Sequence, residues 1–136
     1  MSEQLEKAQR LVVKIGSALL VDEGSGLRRD WLRALVEDIV RLRVRGQEVI
    51  IVSSGAVALG AERLDMAAKR QKLQDSQAAA AVGQIRLAHA WEEQFADHGI
   101  TVAQILLTLD DTEVRRRYLN ARETIDTLLG LSLIHI

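Results

Sequence analysis

The chain has 136 residues, of which 48% are hydrophobic and 3% aromatic, and its formal net charge is -1. This size suits one compact domain, while the low charge and scarce aromatic residues disfavour nucleic-acid binding, which requires basic surfaces and stacking side chains. The absence of cysteine excludes disulfides, thiolate metal sites and cysteine nucleophiles.

The first residues are too polar for a signal peptide, and no stretch approaches the roughly 20 apolar residues that a membrane span requires. We therefore expect a cytoplasmic protein in which residues 1–9 form an N-terminal tail. The next segment, 10–15, is mostly aliphatic, contains Lys14 and leads into Gly16 and Ser17. It predicts a buried parallel strand that feeds a tight turn.

A polar loop and then an amphipathic helix are expected next. Asp30 caps or charges the first turn of this helix, and Gly46 marks its end. The apolar stripe of the helix has helical spacing and consists of Leu32, Leu35, Val36, Ile39 and Leu42. A second aliphatic run over residues 49–52 leads into Ser53-Ser54-Gly55-Ala56, so strand, helix and strand form a βαβ unit.

Two helices and a third strand follow in the predicted order. A short helix runs from Ala56 to about Leu64, and a long one runs from about Ser76 to Gly99. The inner face expected for the long helix is Ala81, Ile85, Ala88, Trp91 and Phe95. Residues 100–107 predict a strand, after which a capping box opens the last helix.

The last predicted helix begins near Asp110, since Glu113 three residues later completes the capping-box pattern. Its expected inner stripe is Val114, Tyr118, Ala121, Ile125 and Leu128. The predicted order β-α-β-α-α-β-α is typical of a three-layer α/β/α sandwich with a mainly parallel sheet. Ligands of such sheets bind at the carboxyl ends of the strands, so both glycine-containing turns should lie on one functional edge.

Lys14 has two interpretations. It belongs either to an edge strand, with its side chain facing water, or to a strand end that projects toward a phosphate. In the second case the backbone amides of Gly16 and Ser17 approach the same anion. The residues alone leave both possibilities open.

The second turn has two interpretations as well. Its serines are either simple helix caps or part of a small-ligand site, in which Ser54, Gly55 and Ala56 receive a carboxylate at the positive end of a helix. No Walker A pattern and no Gly-x-Ser-x-Gly elbow is present. His89 and His98 are too far apart for a helical metal pair, so no metal site is predicted.

Five segments occur in an order that resembles the glutamate 5-kinase family of the amino acid kinase superfamily. They are Val12-Val-Lys-Ile-Gly-Ser17, Ile50-Ile-Val-Ser-Ser-Gly-Ala-Val57, Gln77-Ala-Ala-Ala-Ala-Val-Gly-Gln84, Gln104-Ile-Leu-Leu-Thr108 and Tyr118-Leu-Asn-Ala-Arg122. The resemblance spans about residues 10–130. It implies ATP-dependent phosphorylation of the γ-carboxylate of L-glutamate to γ-glutamyl phosphate, the first step of proline biosynthesis.

The resemblance also implies roles for individual residues. Lys14 would contact and neutralise the transferring phosphate, with Gly16 and Ser17 in the adjoining ATP-side turn. Ser54, with its neighbours Gly55 and Ala56, would bind the substrate. ATP would bring Mg²⁺, for which no protein ligand is identified, and the full-length protein would be a homo-oligomer without nucleic-acid or membrane partners.

This sequence departs from the family in two places. Ala18 stands where many relatives carry a hydroxyl residue, and the segments that complete the glutamate site and the adenine pocket are not included. Residues 131–136 resemble the translation of a transposon-end adapter, so we expect a non-native tail after an N-terminal kinase part at 10–130. The chain is therefore expected to be a fragment that is inactive alone. The alternatives are another amino acid kinase, such as an acetylglutamate or aspartate kinase, and a non-catalytic half-domain that binds a partner.

Overall fold

The computed structural model describes residues 3–22, 26–65, 72–107 and 109–136. The helices are α1 (Glu3–Lys7), α2 (Ser17–Leu20), α3 (Arg29–Val44), α4 (Ala56–Arg63), α5 (Leu73–Ala96), α6 (Leu109–Glu113) and α7 (Arg115–Leu129). The strands are β1 (Arg10–Ile15), β2 (Val21–Asp22), β3 (Gly26–Leu27), β4 (Glu48–Ser53), β5 (Val102–Gln104) and β6 (Leu133–His135).

The main sheet has four strands in the order β1-β4-β6-β5, and every neighbouring pair is parallel. The strands β2 and β3 form a separate antiparallel pair. All carboxyl ends of the main sheet therefore lie along one edge. The predicted mainly parallel sheet is confirmed.

Helices cover both faces of this sheet, and the aliphatic run of β4 is shared between the two faces. Val49 and Ile51 pack in one buried cluster, while Ile50 packs in a second. The first cluster contains residues of α3 and α5: Leu32, Val36, Ile39, Leu87, Ala90, Trp91 and Phe95. The second contains residues of α7 or its end: Ile125, Leu128 and Leu129. The three-layer α/β/α sandwich expected from the sequence is confirmed.

The segment 131–136, expected to be a non-native tail, supplies strand β6 between β4 and β5. Leu133 and Ile134 are fully buried, one in each cluster. In the structure this segment is therefore part of the sheet. Its alternating aliphatic side chains fill the position between β4 and β5 whether or not the segment is native. That the segment is non-native stays a prediction.

The inner face predicted for the long helix α5 is confirmed at Trp91 and Phe95, but it is wrong at Ala81 and Ile85, which are exposed. Its buried residues are Ala79, Gly83, Leu87, Ala90, Trp91 and Phe95. Ile85, expected on the inner face, is 74% exposed. The predicted face was chosen from the large apolar side chains, whereas small residues on a neighbouring stripe of α5 form the contact with α4.

Three further boundaries differ from expectation. The third strand is only Val102–Gln104. The single helix expected from Asp110 is two helices, because the backbone of Val114 is extended (φ -85°, ψ 112°) between α6 and α7. The loop before α3 also contains the β2–β3 pair, which the sequence did not predict.

The expected N-terminal tail contains α1, which has no buried residue. The side-chain Nε2 of Gln47 donates to the carbonyls of Leu5 and Ala8 at 2.8 and 2.7 Å, which ties this segment to the start of β4. Among the helices of the described ranges, none is long and apolar enough to cross a membrane.

Candidate functional site

The two glycine-containing turns follow neighbouring strands and lie side by side. Strands β1 and β4 are parallel and in register, with Ile15 opposite Ser53 at their carboxyl ends. The backbone N–H of Ser54 donates to the carbonyl of Ile15 at 3.3 Å. The turn at Gly16 and the turn at Ser54 therefore share the functional edge that the sequence predicted for them.

A cavity of about 490 Å³ lies where these turns meet. Its lining consists of Ser17, Ser54, Gly55, Ala56, Val57, Ala58 and Ala61. The structure thus brings four of the six predicted site residues to one cavity, while Lys14 and Gly16 are not part of its lining. The remaining lining residues of α4, Val57, Ala58 and Ala61, were not predicted, because small aliphatic side chains in a helix carry no chemical signal in a sequence.

Gly55 allows the close contact between the turns. Its φ of +117° lies in the region that favours glycine. A Cβ placed there would be 3.4 Å from Cγ2 of Val21 and 3.6 Å from Cβ of Ser17. The second turn is therefore pressed against the first, and any side chain at position 55 would meet both backbone strain and crowding.

Neither serine of the second turn is a helix cap. The N-cap of α4 is Gly55, without a side-chain cap hydrogen bond, and the side chain of Ser54 is exposed at the cavity. The simple capping interpretation is therefore wrong, and α4 begins without a side-chain cap hydrogen bond from its N-cap residue. A helix start of this kind carries a partial positive charge that suits a carboxylate.

A buried polar contact, which the sequence did not predict, lies behind Ser54. The indole Nε1 of Trp91 donates to Ser53 Oγ at 3.3 Å, and Ser53 Oγ lies 2.7 Å from Nε2 of His135. Ser53 Oγ therefore has a hydrogen-bond partner on each side, and which of Ser53 Oγ and His135 Nε2 donates to the other depends on the imidazole tautomer. Burial lowers the pKa of His135 from 6.5 to about 4.

Lys14 is exposed on β1, which is an edge strand of the main sheet. Its neighbour Ile15 packs in the α3–α5 cluster, so Lys14 lies on the opposite face, in register with Val52. Its location agrees with the water-facing interpretation. The charge is near the functional edge and forms no ion pair with any side chain of the described ranges. Its role at a phosphate stays a prediction.

The turn at Gly16 is open to solvent. No atom lies within 4 Å of a Cβ placed at Gly16, and its φ of -75° is accessible to any residue. The fold therefore does not require glycine here, which leaves room for a ligand to approach the backbone. Among the described residues, no group of three or more His, Asp or Glu side chains is arranged to hold a metal ion.

Comparison with known proteins connects this edge to a family. The model of the amino acid kinase family matches residues 9–135. The chain is 59% identical over 133 residues to a glutamate 5-kinase of Paracoccus denitrificans and 61% identical over 132 residues to one of Cereibacter sphaeroides. It is 56% identical over all 136 residues to a glutamate 5-kinase of Brucella anthropi.

These alignments cover 98%, 97% and 100% of this chain but only 36%, 35% and 36% of the relatives. The chain therefore spans about a third of the length of the relatives it matches. Both turns and the cavity lie inside the matched region.

Proposed function

The chain belongs to the amino acid kinase family, and from this we propose that it forms one wall of the active site of a glutamate 5-kinase. In the proposed reaction, ATP phosphorylates the γ-carboxylate of L-glutamate, as the first step of proline biosynthesis. The observation that carries the proposal is the contact of the Ser17 and Gly55 turns at one cavity, on the carboxyl edge of a parallel sheet.

We assign the second turn to glutamate. The exposed hydroxyl of Ser54 and the first backbone amides of α4, at Gly55 and Ala56, are donors that suit a carboxylate. The cavity wall beyond them is built from small aliphatic side chains of α4. Such a surface accommodates the short carbon chain of an amino acid.

We assign the first turn to the transferring phosphate. Gly16 and Ser17 present backbone groups at an open surface, and Lys14 adds a positive charge close to the same edge. Phosphoryl transfer depends mainly on positioning and on neutralising charge in the transition state, so a lysine without an ion-pair partner in the described ranges suits this role.

ATP and Mg²⁺ complete the proposal. We assign Mg²⁺ to the nucleotide, where it would neutralise phosphate charge. We further propose that the full-length protein is a cytoplasmic homo-oligomer. Its adenine site would lie in segments outside this chain.

The test uses the full-length protein that carries this segment. ADP formation with ATP and Mg²⁺ should depend on L-glutamate, while N-acetylglutamate and aspartate should be poor substrates. Preference for one of these two would indicate another amino acid kinase. No turnover with any of the three would favour a non-catalytic binding domain.

Lys14→Ala tests the phosphate assignment in the same assay. Loss of its charge should lower kcat by about 30- to 1,000-fold, equivalent to roughly 2–4 kcal/mol of transition-state stabilisation. The control Lys7→Ala removes another exposed lysine, which pairs with Glu3 on α1, and should leave kcat unchanged. Similar activity in the two variants would remove Lys14 from the site.

A further inference from the structure

The helices α4 and α5 approach each other more closely than side chains would allow. A Cβ placed at Gly83 would lie 1.6 Å from the carbonyl oxygen of Ala56 and 2.7 Å from the backbone nitrogen of Gly60. A Cβ placed at Gly60 would lie 1.6 Å from the carbonyl oxygen of Ala79. Both glycines are buried. Because neither has a side chain, each leaves space for the other helix to pass at this point.

This close crossing lies directly behind the cavity. Ala56 is the first residue of α4 and part of the cavity lining, and its carbonyl is the atom that Gly83 accommodates. The position of α5 therefore fixes the start of α4, where the proposed glutamate donors lie. The Gly16–Ser17 turn connects β1 to α2, and no atom of α5 lies within 4 Å of a Cβ placed at Gly16.

A side-chain contact secures the same crossing one turn further along. Nη1 of Arg86, three residues after Gly83 on α5, donates to the carbonyl of Leu59 at 3.2 Å. The same nitrogen lies 3.7 Å from Oε2 of Glu62. Two independent features, one steric and one polar, thus hold α4 against α5.

We propose that Gly60 and Gly83 are positioning residues for the glutamate turn Ser54–Ala56. The proposal rests on the function proposed above and adds two residues that touch neither substrate. A methyl group at position 83 forces the carbonyl of Ala56 to move by more than 1 Å before ordinary contact distances are restored. Displacements of about 1 Å at a reacting group cost up to about 100-fold in rate.

The effect should be selective for one substrate. In the full-length protein, Gly83→Ala should raise the KM for glutamate by about tenfold or more, while the KM for ATP stays within about twofold. Loss of packing alone would lower the melting temperature without separating the two KM values. The control Gly130→Ala adds a methyl group at a helix end, where φ is -71° and the nearest atom is 3.5 Å away.

Arg86→Met provides a second variant if Gly83→Ala does not fold. It removes the bond to Leu59 without adding volume at the crossing, and should raise the KM for glutamate about threefold, with ATP unaffected. The control Arg63→Met removes an exposed arginine of α4. Equal changes in both KM values, or none, in the variant that folds would overturn the positioning role. A wild-type protein without glutamate-dependent turnover would instead contradict the proposed function itself.

Discussion

Adjacent serines at the end of β4 have different surroundings. Ser53 is held between Trp91 and His135, whereas Ser54 is exposed at the cavity. A hydroxyl that already has protein partners contributes to the fold, while one that faces a cavity is available to a ligand. Substitution of each serine should therefore have a different consequence.

Ser54→Ala should raise the KM for glutamate in the full-length protein by about 10- to 150-fold, because a lost hydrogen bond to a charged ligand costs roughly 1.5–3 kcal/mol. Its melting temperature should stay close to that of the wild type. The matched variant Ser53→Ala leaves Trp91 Nε1 and His135 Nε2 without their partner and should lower the free energy of unfolding by about 1–3 kcal/mol.

Steady-state kinetics with each substrate varied in turn, combined with thermal unfolding, separates these outcomes. An effect of Ser54→Ala that is confined to the KM for ATP would reverse the assignment of the two turns.

Two glycines at the site should respond differently to alanine. Gly55→Ala places an alanine at a backbone φ of +117°, and its methyl group also crowds Val21 and Ser17. The substitution should destabilise the fold by about 1–3 kcal/mol. Gly16→Ala meets no atom and keeps an ordinary φ of -75°, so stability should be unchanged or raised by up to about 1 kcal/mol.

Urea unfolding of both variants measures this difference. A ligand that approaches the backbone at Gly16 would nevertheless be hindered by the added methyl group, so Gly16→Ala should weaken ATP binding without loss of stability. Equal destabilisation by both substitutions would show that the first turn is less open than described.

At the level of secondary-structure elements, β6 carries a titratable group into the sheet. His135 is 1% exposed, and burial lowers its pKa to about 4. Since the folded chain favours the neutral form of His135, the free energy of unfolding has its full value with respect to this group above pH 6.5. This contribution is lost as the pH falls from 6.5 toward 4, because in this range the unfolded chain binds the proton more readily than the folded chain does.

The free energy of unfolding should therefore fall by roughly 3 kcal/mol on this account between pH 7.5 and pH 4. The variant His135→Leu should lack this part of the pH dependence. Urea unfolding of the chain and the variant at both pH values, at low protein concentration, provides the measurement. The same pH dependence in the variant would assign the effect to other groups.

The sequence predicted those elements whose signals are local. Periodic apolar residues identified α3 and β4, and the small residues after β1 and β4 identified the turns that line the cavity. These predictions succeeded because a strand between two helical layers must be aliphatic, and a tight turn after it must use small residues.

Long-range packing caused the errors. Ile85 was expected in the core, but the crossing at Gly60 and Gly83 turns the stripe of small residues toward α4 and leaves Ile85 in solvent. Strand β6 has only three residues, and its place between β4 and β5 depends on partners distant in sequence. The sequence of α5 alone contains no information about which helix lies against it.

For the molecule as a whole, the main sheet has open edges at β1 and β5 among the described residues. Several large apolar side chains of these ranges are exposed, including Val12 at 63%, Leu106 at 70% and Ile85 at 74%. Exposed strand edges and apolar surface promote self-association. We expect the 136-residue chain to self-associate at micromolar concentration, which size-exclusion chromatography with light scattering measures. A monomer at 100 μM would contradict this expectation.

The central claim is that this chain supplies one wall of a glutamate kinase site that other segments complete. Rate acceleration requires both substrates to be held in line, and the chain spans only about a third of its relatives. The most direct test is glutamate-dependent ADP formation, with ATP and Mg²⁺, by the 136-residue chain and by the full-length protein that carries it. We predict turnover by the full-length protein and none by the chain. Turnover by the chain alone that disappears with Lys14→Ala would contradict the claim.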